Sequence, residues 1–485
     1  MKEISSAGAR QIGGRSSREE SMAKPRTIGQ LRASGYQVRP VKEELRQNLI
    51  RKIQAGEDLF PGIIGYDETV IPQIENAILA GQDIILLGER GQAKTRIARS
   101  LVALLDEEVP AIAGCEINDN PYAPICQACR QAVQARGDDV EIVWLPRDRR
   151  YGEKLATPDI TIADLIGEVD PIKVAEGRYL ADELTIHYGL IPRTNRGIFC
   201  INELPDLQER IQVGLLNIME ERDVQIRGYK VRLPLDIYVV ASANPEDYTN
   251  RGRIITPLKD RFGSQIRTHY PRTIEDEIAI MEQERTVFPT EGYDLRVPTF
   301  MKEIVAEITH LARRSPDISQ RSGVSVRVSI CNYENLIANA FKRALRLRER
   351  VVVPRISDLM AITASTIGKI ELETFGDIRE ERIVEKLVQG AVLNVFNRYF
   401  HLHQLDEVVA AFEGGLRVEV SDQMPSLRYV QQAAEIPGLR EAVSRLGLPG
   451  DPASVAAAVE FVLEGLHLNR KLNKDRADGK TRYRG

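Results

Sequence analysis

Apolar positions along the chain follow two rhythms, and the change from one to the other comes near residue 273. Between about residues 60 and 272, short β-rich runs alternate with helical patterns: "DIILL" from Asp83, "GIFCI" from Gly197 and "DIYVVASA" from Asp236. Each run is apolar without alternation, which suits a strand buried on both faces. Such runs separated by helices predict a parallel sheet flanked by helices, an α/β core. Upstream, "VKEELRQNLIRKIQAGEDLF" from Val41 spaces Leu45, Leu49, Ile50 and Ile53 as one helical stripe, and "PGIIGYDE" breaks it. Inside the core, "DVQIRGYKVRL" puts Val224 and Ile226 on one side of a turn and Val231 and Leu233 on the other, the pattern of a hairpin from Asp223 to Leu233.

After Pro271 the helical period takes over and holds to about residue 372, opening at Thr273 with Asp276 three residues on, a capping-box start. The remainder, through "SVAAAVEFVLEGLHLN", also predicts mainly helix, with a polar linker near "FGDIREE". The first forty residues are rich in Ser, Gly and Arg with little periodicity and read as a mobile tail, in which Met22 offers an alternative start. The closing "RKLNKDRADGKTRYRG", with seven basic and two acidic residues, reads as a second solvated end. The expected organisation is a tail over 1–40, an α/β domain over 41–272, a helical lid domain over 273–375 and a mainly helical region over 376–485, without internal repeats.

Composition narrows the class. A chain of 485 residues has room for two or three domains. With 43% hydrophobic and 28% charged residues, and no apolar run near the ~18 residues of a membrane helix, it reads as a soluble protein without membrane insertion. The N-terminus lacks the apolar core of a signal peptide, so the expected location is the cytoplasm. A formal charge of −4 supplies no field for gripping nucleic acid along a whole face.

The stretch "DIILLGERGQAKTR" carries the first chemistry. Phosphate binding needs a turn of backbone N–H groups around the oxygens, a lysine for the terminal phosphates and a hydroxyl for magnesium, the Walker A requirement. Here a buried-strand run ends at Gly88; Glu89, Arg90, Gly91, Gln92 and Ala93 make the loop; and Lys94, Thr95 and Arg96 open a helix carrying Ile97, Leu101 and Leu104. Ala93 stands where the pattern wants its second glycine. A Cβ is costly only where φ is positive or a ligand touches Cα. Just before the loop lysine, at a helix entry, negative φ is expected, so the substitution reads as tolerable. The plain alternative is a chance "GKT"-like loop.

A second motif follows in "RGIFCINELPDL". Four apolar residues and a polar-acidic pair match a Walker B strand, with Asn202–Glu203 in place of Asp–Glu. Asn202 can accept from magnesium-bound water but brings no charge, so metal affinity should fall; Thr95 and Asn202 are the candidate metal residues. Glu203 keeps the carboxylate that orients attacking water. "VVASANPEDY" then ends a strand at Asn244, an amide suited to bridging water and phosphate, and "PLKDRF" places Arg261 ahead of the helical part.

Taken together, this order of pieces resembles the AAA+ ATPases, in the branch that contains the magnesium chelatase I subunit and the MoxR-type ATPases. The resemblance covers roughly residues 60 to 350 and is most specific from Ala163 to Gly263, through "ADLIGEVDP", "GLIPRTNRGIFCINELPDL", "LLNIMEERDVQIRG", "ASANPEDY" and "LKDRFG". It implies ATP and Mg2+ as ligands, with Gly88, Gly91, Lys94 and Thr95 at the phosphates and metal, Glu203 activating water, and Asn244 as sensor one. It also implies Arg261 as an arginine finger reaching a neighbouring subunit's nucleotide. "GVSVRVS" resembles the sensor-two stretch, making Arg327 the candidate and Arg321 the fallback.

The resemblance further implies a homo-oligomeric, hexameric ring that remodels a partner protein, one with a von Willebrand A domain. The hairpin and an insertion within "GEVDPIKVAEGRYLADELTIHYGLIP" correspond to protrusions that move with the nucleotide. A chelatase motor subunit is the alternative, ranked lower because the extension after residue 376 matches nothing in chelatases. A second alternative is a nucleotide-gated scaffold in which Ala93 and Asn202 make hydrolysis slow or negligible. A transcription activator is disfavoured, since the chain has neither a helix-turn-helix signature nor a polymerase-contacting loop.

Five cysteines are too sparse for a disulfide framework. Cys115, Cys126 and Cys129 include a CxxC of zinc-compatible spacing, but a closed structural site wants four ligands and no fourth Cys or His lies nearby. Zinc and ordinary reduced thiols both stay open. Cys200 and Cys331 read as packing residues, Trp144 as strand packing, and His401 and His403 as decoration of a helix or its end.

Overall fold

The computed structural model describes residues 24–170, 183–221, 223–225, 232–244, 253–288, 291–320, 322–373, 380–477 and 480–485. Five strands form one sheet in the order Ser264–Arg267, Ile84–Leu87, Ile237–Ala243, Gly197–Asn202, Tyr151–Leu155, every pair parallel. The three apolar runs of the sequence are its three inner strands. The two edges, "YGEKL" and "SQIR", are polar at the exposed positions and carry no such signal.

Both faces of the sheet are covered, which is why the inner strands do not alternate. On one face Ile84, Leu86, Ile198, Cys200, Tyr238 and Val240 pack with residues of the helices Val41–Ala55, Ile71–Leu79 and Lys94–Ser100. On the other, Ile85, Phe199, Ile201, Val239 and Ala241 meet Ile211, Leu215 and Ile218 of Glu209–Glu221 and Leu258 of Thr256–Arg261. Helix Val41–Ala55 begins where expected, after Pro40, because the Asp236 carboxylate accepts the Val41 N–H at 2.9 and 3.1 Å. The helix is then locked by a buried ion pair: the Arg150 guanidinium holds the Glu44 carboxylate through both oxygens at 2.7 and 2.6 Å.

Residues 24–40 and the C-terminal segment are packed rather than solvated, while residues 1–23 of the expected tail lie outside the described residues. From residue 24 the N-terminal segment is docked: Arg26 and Ile28 hydrogen-bond across to Ile142 and Val140, and Ile28 and Leu31 of the short helix Ile28–Ala33 are fully buried. Two apolar side chains are too few to show a period. At the C-terminus, Asn473–Ala477 and Lys480–Arg484 form a hairpin that adds to Arg417–Val420 as a three-stranded antiparallel sheet. Tyr483 is buried there against Glu464, and Lys474 pairs with the same carboxylate at 2.7 Å. The charges of "RKLNKDRADGKTRYRG" therefore alternate with inward positions of a strand.

Helical structure dominates from Thr273, whose hydroxyl accepts the Asp276 N–H at 3.0 Å as the helix Ile274–Glu284 starts. Its core runs without a break into the C-terminal region. Met281, Ile304 and Leu336 share one cluster with Val395, Phe461 and Tyr483, and the Phe300 and Phe461 rings stack at 4.3 Å. Helix Pro452–Leu468 is buried almost throughout, and at Gly465 a Cβ would lie 2.0 Å from the Phe396 ring. The expected hairpin pairs Asp223–Gln225 with Arg232–Pro234, while Ile226, Val231, the middle of the expected insertion and most of the linker lie outside the described residues. No helix of the described residues is long and apolar enough to cross a membrane.

A buried ion pair braces the helical part where it meets the segment that leaves the sheet. Arg313, on Thr299–Ala312's C-terminal edge, grips buried Glu277 at 2.8 and 3.2 Å, donates to the Val324 carbonyl at 3.0 Å and lies over the Tyr270 ring at 4.3 Å. Burial pushes the Glu277 carboxyl up, but His310, Arg313 and Ser329 outweigh it and leave its pKa below the ordinary value. Arg313→Ala should destabilise the full chain by about 3–5 kcal/mol in denaturant unfolding, because a buried carboxylate loses its cation. The folded pKa is depressed, so this contribution is complete above the unfolded value and lost as pH falls through the folded one; the gap between wild type and variant should close in acid. A loss below about 1 kcal/mol at neutral pH would show the pair to be dispensable.

Candidate functional site

The sheet register sets the site. Leu87 pairs with Ala243 and Ala241 with Ile201, so Gly88, Asn244 and Asn202–Glu203 leave three adjacent strands at the same carboxyl edge. That edge is where ligands sit in open parallel sheets, and the helix Lys94–Ser100 begins there.

Asn244 joins the two motifs. Its amide oxygen accepts from the Lys94 ammonium at 2.7 Å, and its amide nitrogen donates to the Glu203 carboxylate at 2.7 Å. Only this amide orientation satisfies both neighbours, since an ammonium has no acceptor and an ionised carboxylate no donor. Lys94 is 6% exposed and also donates to the Gly88 and Glu89 carbonyls at 2.5 and 2.9 Å. Glu203 has φ 55° and its N–H meets the Ser242 hydroxyl at 3.2 Å, a left-handed turn that swings the carboxylate off the strand end toward Asn244.

Ala93 departs from expectation. Its φ is 54° and ψ 13°, left-handed rather than helical, immediately before Lys94. The loop has to reverse its backbone there so that successive N–H groups converge before the helix begins, the arrangement of an anion-binding nest. An alanine in this conformation costs about 1–2 kcal/mol. The two retained glycines answer to crowding as well: a Cβ on Gly88 would lie 1.9 Å from the Thr268 hydroxyl, and one on Gly91 (φ 77°) 2.0 Å from the Ser325 hydroxyl.

The helical part reaches the loop through that second contact. Tyr270 donates to the Arg90 carbonyl at 3.0 Å, and exposed Arg96 pairs with Glu284 of the helix Ile274–Glu284. Gln92 is turned inward, its amide oxygen accepting from the Glu89 N–H at 3.1 Å and the Thr268 hydroxyl at 2.7 Å. Arg327 is exposed at the first residue of the helix Arg327–Leu347, two residues beyond Ser325. Arg321 lies outside the described residues. Arg261 is not gathered to the loop; it pairs with Glu220 at 2.7 Å and is 33% exposed.

Magnesium would find oxygen donors at the Walker B end. The Thr95 hydroxyl lies 3.4 Å from the Asn202 amide oxygen, and the Asn202 nitrogen donates to the Glu153 carboxylate at 2.7 Å. Glu153 was invisible to motif reading. It belongs to the edge strand Tyr151–Leu155, where Glu153 pairs with Cys200, and only that pairing brings a negative charge beside the neutral Asn202. Arg99 holds the same carboxylate at 2.7 and 3.0 Å. A hydroxyl, an amide oxygen and a carboxylate are hard ligands of the kind Mg2+ takes, so the donor set fits the ion.

Comparison with known proteins points the same way. A family model described as the sigma-54 interaction domain matches residues 176–261. The chain is 26% identical over 268 residues to the magnesium-chelatase 38 kDa subunit of Cereibacter sphaeroides, covering 53% of this chain and 70% of that one. It is 26% identical over 266 residues to the magnesium-chelatase subunit ChlI homolog of Methanocaldococcus jannaschii, with 53% and 65% covered. Over about half its length the chain is similar to magnesium-chelatase I subunits. Of the chloroplastic ChlI-2 of Arabidopsis thaliana, this chain spans 56% of the length at 28% identity. Among solved structures, the complex of the BchI and BchD subunits of magnesium chelatase covers 68% of this chain and 98% of its own at 19% identity and a TM-score of 0.34.

The strain at Ala93 makes a prediction about this loop. Ala93→Gly should raise the stability of the ligand-free protein by about 0.5–1 kcal/mol, the left-handed penalty less the extra freedom of glycine in the unfolded chain. Calorimetric unfolding measures it, and a destabilised variant would mean that the loop does not hold a left-handed residue at 93.

Proposed function

We propose that the chain is an ATPase whose subunits form a ring, hexameric by its resemblance, and couple ATP binding and hydrolysis to the remodelling of a partner protein. The observation that carries this reading is the bridge from Lys94 through Asn244 to Glu203, which puts a phosphate-binding cation and a water-activating carboxylate on one amide. In this reading Gly88 to Arg96 form the ATP loop, with Lys94 at the terminal phosphates. Thr95, Asn202 and Glu153 hold Mg2+, which would neutralise charge on the phosphates. Glu203 takes a proton from the attacking water while Asn244 orients it.

Arg261 serves a neighbouring subunit's nucleotide in this scheme, leaving its partner Glu220 to do so; its partial exposure supports that. Arg327 acts as sensor two, supported by the packing of Ser325 on Gly91. The neutral Asn202 and the strained Ala93 favour slow turnover. The sigma-54 interaction match spans Asn202, Glu203, Asn244 and Arg261, which supports the motor reading. The partner we assign is a protein with a von Willebrand A domain. Chelatase motor activity is the second reading, favoured by the names of the matched relatives.

Two experiments test the motor. Glu203→Gln should cut phosphate release by about 10²–10⁴-fold, and Arg261→Ala by about 10³–10⁵-fold, with calorimetric ATP affinity kept in both. Wild-type turnover that Glu203→Gln leaves unchanged would remove Glu203 as the carboxylate that activates water; background rates in both chains would remove the ATPase reading and favour the scaffold. The ATP-loaded Glu203→Gln chain should also retain a von Willebrand A protein on a pull-down. Glu153→Gln should raise the Mg2+ concentration for half-maximal turnover about tenfold while leaving metal-free nucleotide binding alone, and an unmoved Mg2+ curve would return Glu153 to a purely structural pair with Arg99.

A further inference from the structure

The most complete set of donor atoms outside the nucleotide site lies in the insert between the helix Lys94–Ser100 and the strand Tyr151–Leu155. There the strands Glu108–Ile112 and Ile142–Pro146 pair antiparallel, and the loop after the first runs into the helix Gln127–Arg136. Cys115, Asp119, Cys126 and Cys129 bring one ligand atom each to within 4.8 Å of one another. We propose that these four residues form a closed, tetrahedral, structural zinc site with three thiolates and one carboxylate.

Distance is the first argument. Zinc to sulfur at about 2.3 Å puts tetrahedral thiolates about 3.8 Å apart, so four donors this close suit one ion. The second is a separate observation on the carboxylate. Asp119 is 0% exposed; one oxygen accepts the Cys126 N–H at 3.0 Å, and the other has no hydrogen-bond partner among the described residues. An unpaired buried carboxylate oxygen costs several kcal/mol, and a cation among the sulfurs removes that cost. Nor does a disulfide account for the cluster, since three cysteines share it and all are free thiols.

The backbone is arranged for thiolates. Asp119 N–H donates to the Cys115 sulfur at 3.4 Å and Cys129 N–H to the Cys126 sulfur at 3.3 Å. Cys126 and Cys129 occupy the N-cap and first turn of their helix, where the positive end of its dipole favours anions. Soft sulfur ligands in a closed set of four select zinc over hard cations and leave no position for a substrate. The ion would pin a loop that supports the active edge from behind: Asn195 donates to the Ile117 carbonyl at 3.0 Å and Asn118 to the Arg193 carbonyl at 2.8 Å, just ahead of the strand Gly197–Asn202.

Elemental analysis of the full chain purified without chelator tests this, with about one zinc per chain expected. Cobalt(II) put in its place should give the intense visible bands of a tetrahedral site and a thiolate charge-transfer band. Asp119→Asn should weaken zinc about tenfold or more in competition with a chelating dye. Because cysteine variants risk failing to fold, the wild type supplies the control: alkylation should spare Cys115, Cys126 and Cys129 with zinc present and modify them together after it is stripped. Zinc below about 0.1 per chain without a tetrahedral cobalt spectrum, iron in place of zinc, or thiols alkylated equally with and without the metal would overturn the assignment.

Discussion

Parallel pairing of the Ile237–Ala243 strand between Ile84–Leu87 and Gly197–Asn202 is the constraint on which the candidate site depends. Residues more than a hundred positions apart meet because three strand ends stop level with one another. A slip of one residue would turn every side chain to the other face and exchange the two cores on either side of the sheet. The apolar surface on both faces therefore holds the register, and the register holds the polar atoms. Asn244 converts that alignment into chemistry, since its amide can satisfy Lys94 and Glu203 together only if both strands end where they do.

That logic separates what the sequence reveals from what it conceals. Inner strands are legible because burial on two faces leaves unbroken apolar runs, and the loop is legible because glycine and lysine are needed at fixed spacing. Edge strands lose the signal, and with them Glu153, whose meaning lies in its pairing with Cys200 rather than in any neighbour along the chain. Ala93 misleads because its place at a helix entry suggests helical φ, whereas the preceding turn imposes a left-handed one. The chain ends mislead through composition: charge counts describe what faces water and pass over Ile28, Leu31 and Tyr483 on the inward side. Asp119 escapes a pattern of Cys and His ligands because its carboxylate meets the three sulfurs only in the folded loop.

Charge at the Walker B end is displaced rather than lost. An aspartate at 202 would carry its charge on the strand of Glu203; Asn202 instead hydrogen-bonds a carboxylate one strand over, and that carboxylate is already held by Arg99. Metal and guanidinium would thus compete for Glu153. Arg99 sits on the helix that Lys94 begins, so any shift of that helix changes how much of the Glu153 charge is available. How firmly that carboxylate could hold a cation then depends on one exposed arginine as well as on the missing aspartate.

The same helix also faces the helical part of the chain, which sets how a change at the loop would travel. Arg96 pairs with Glu284, Tyr270 holds the Arg90 carbonyl, and Ser325 fills the space that a side chain at 91 would need. Arg313 ties this corner to Glu277 inside the helical core. From Met281 to Tyr483 that core is one continuous cluster, packed tightly enough that a single added carbon at Gly465 would meet a phenylalanine ring. Close-packed interiors transmit displacement instead of absorbing it. A movement of the loop against Ser325 would therefore reach the C-terminal helices as a shift of the whole helical body, and the soft points are the few polar contacts at the loop itself.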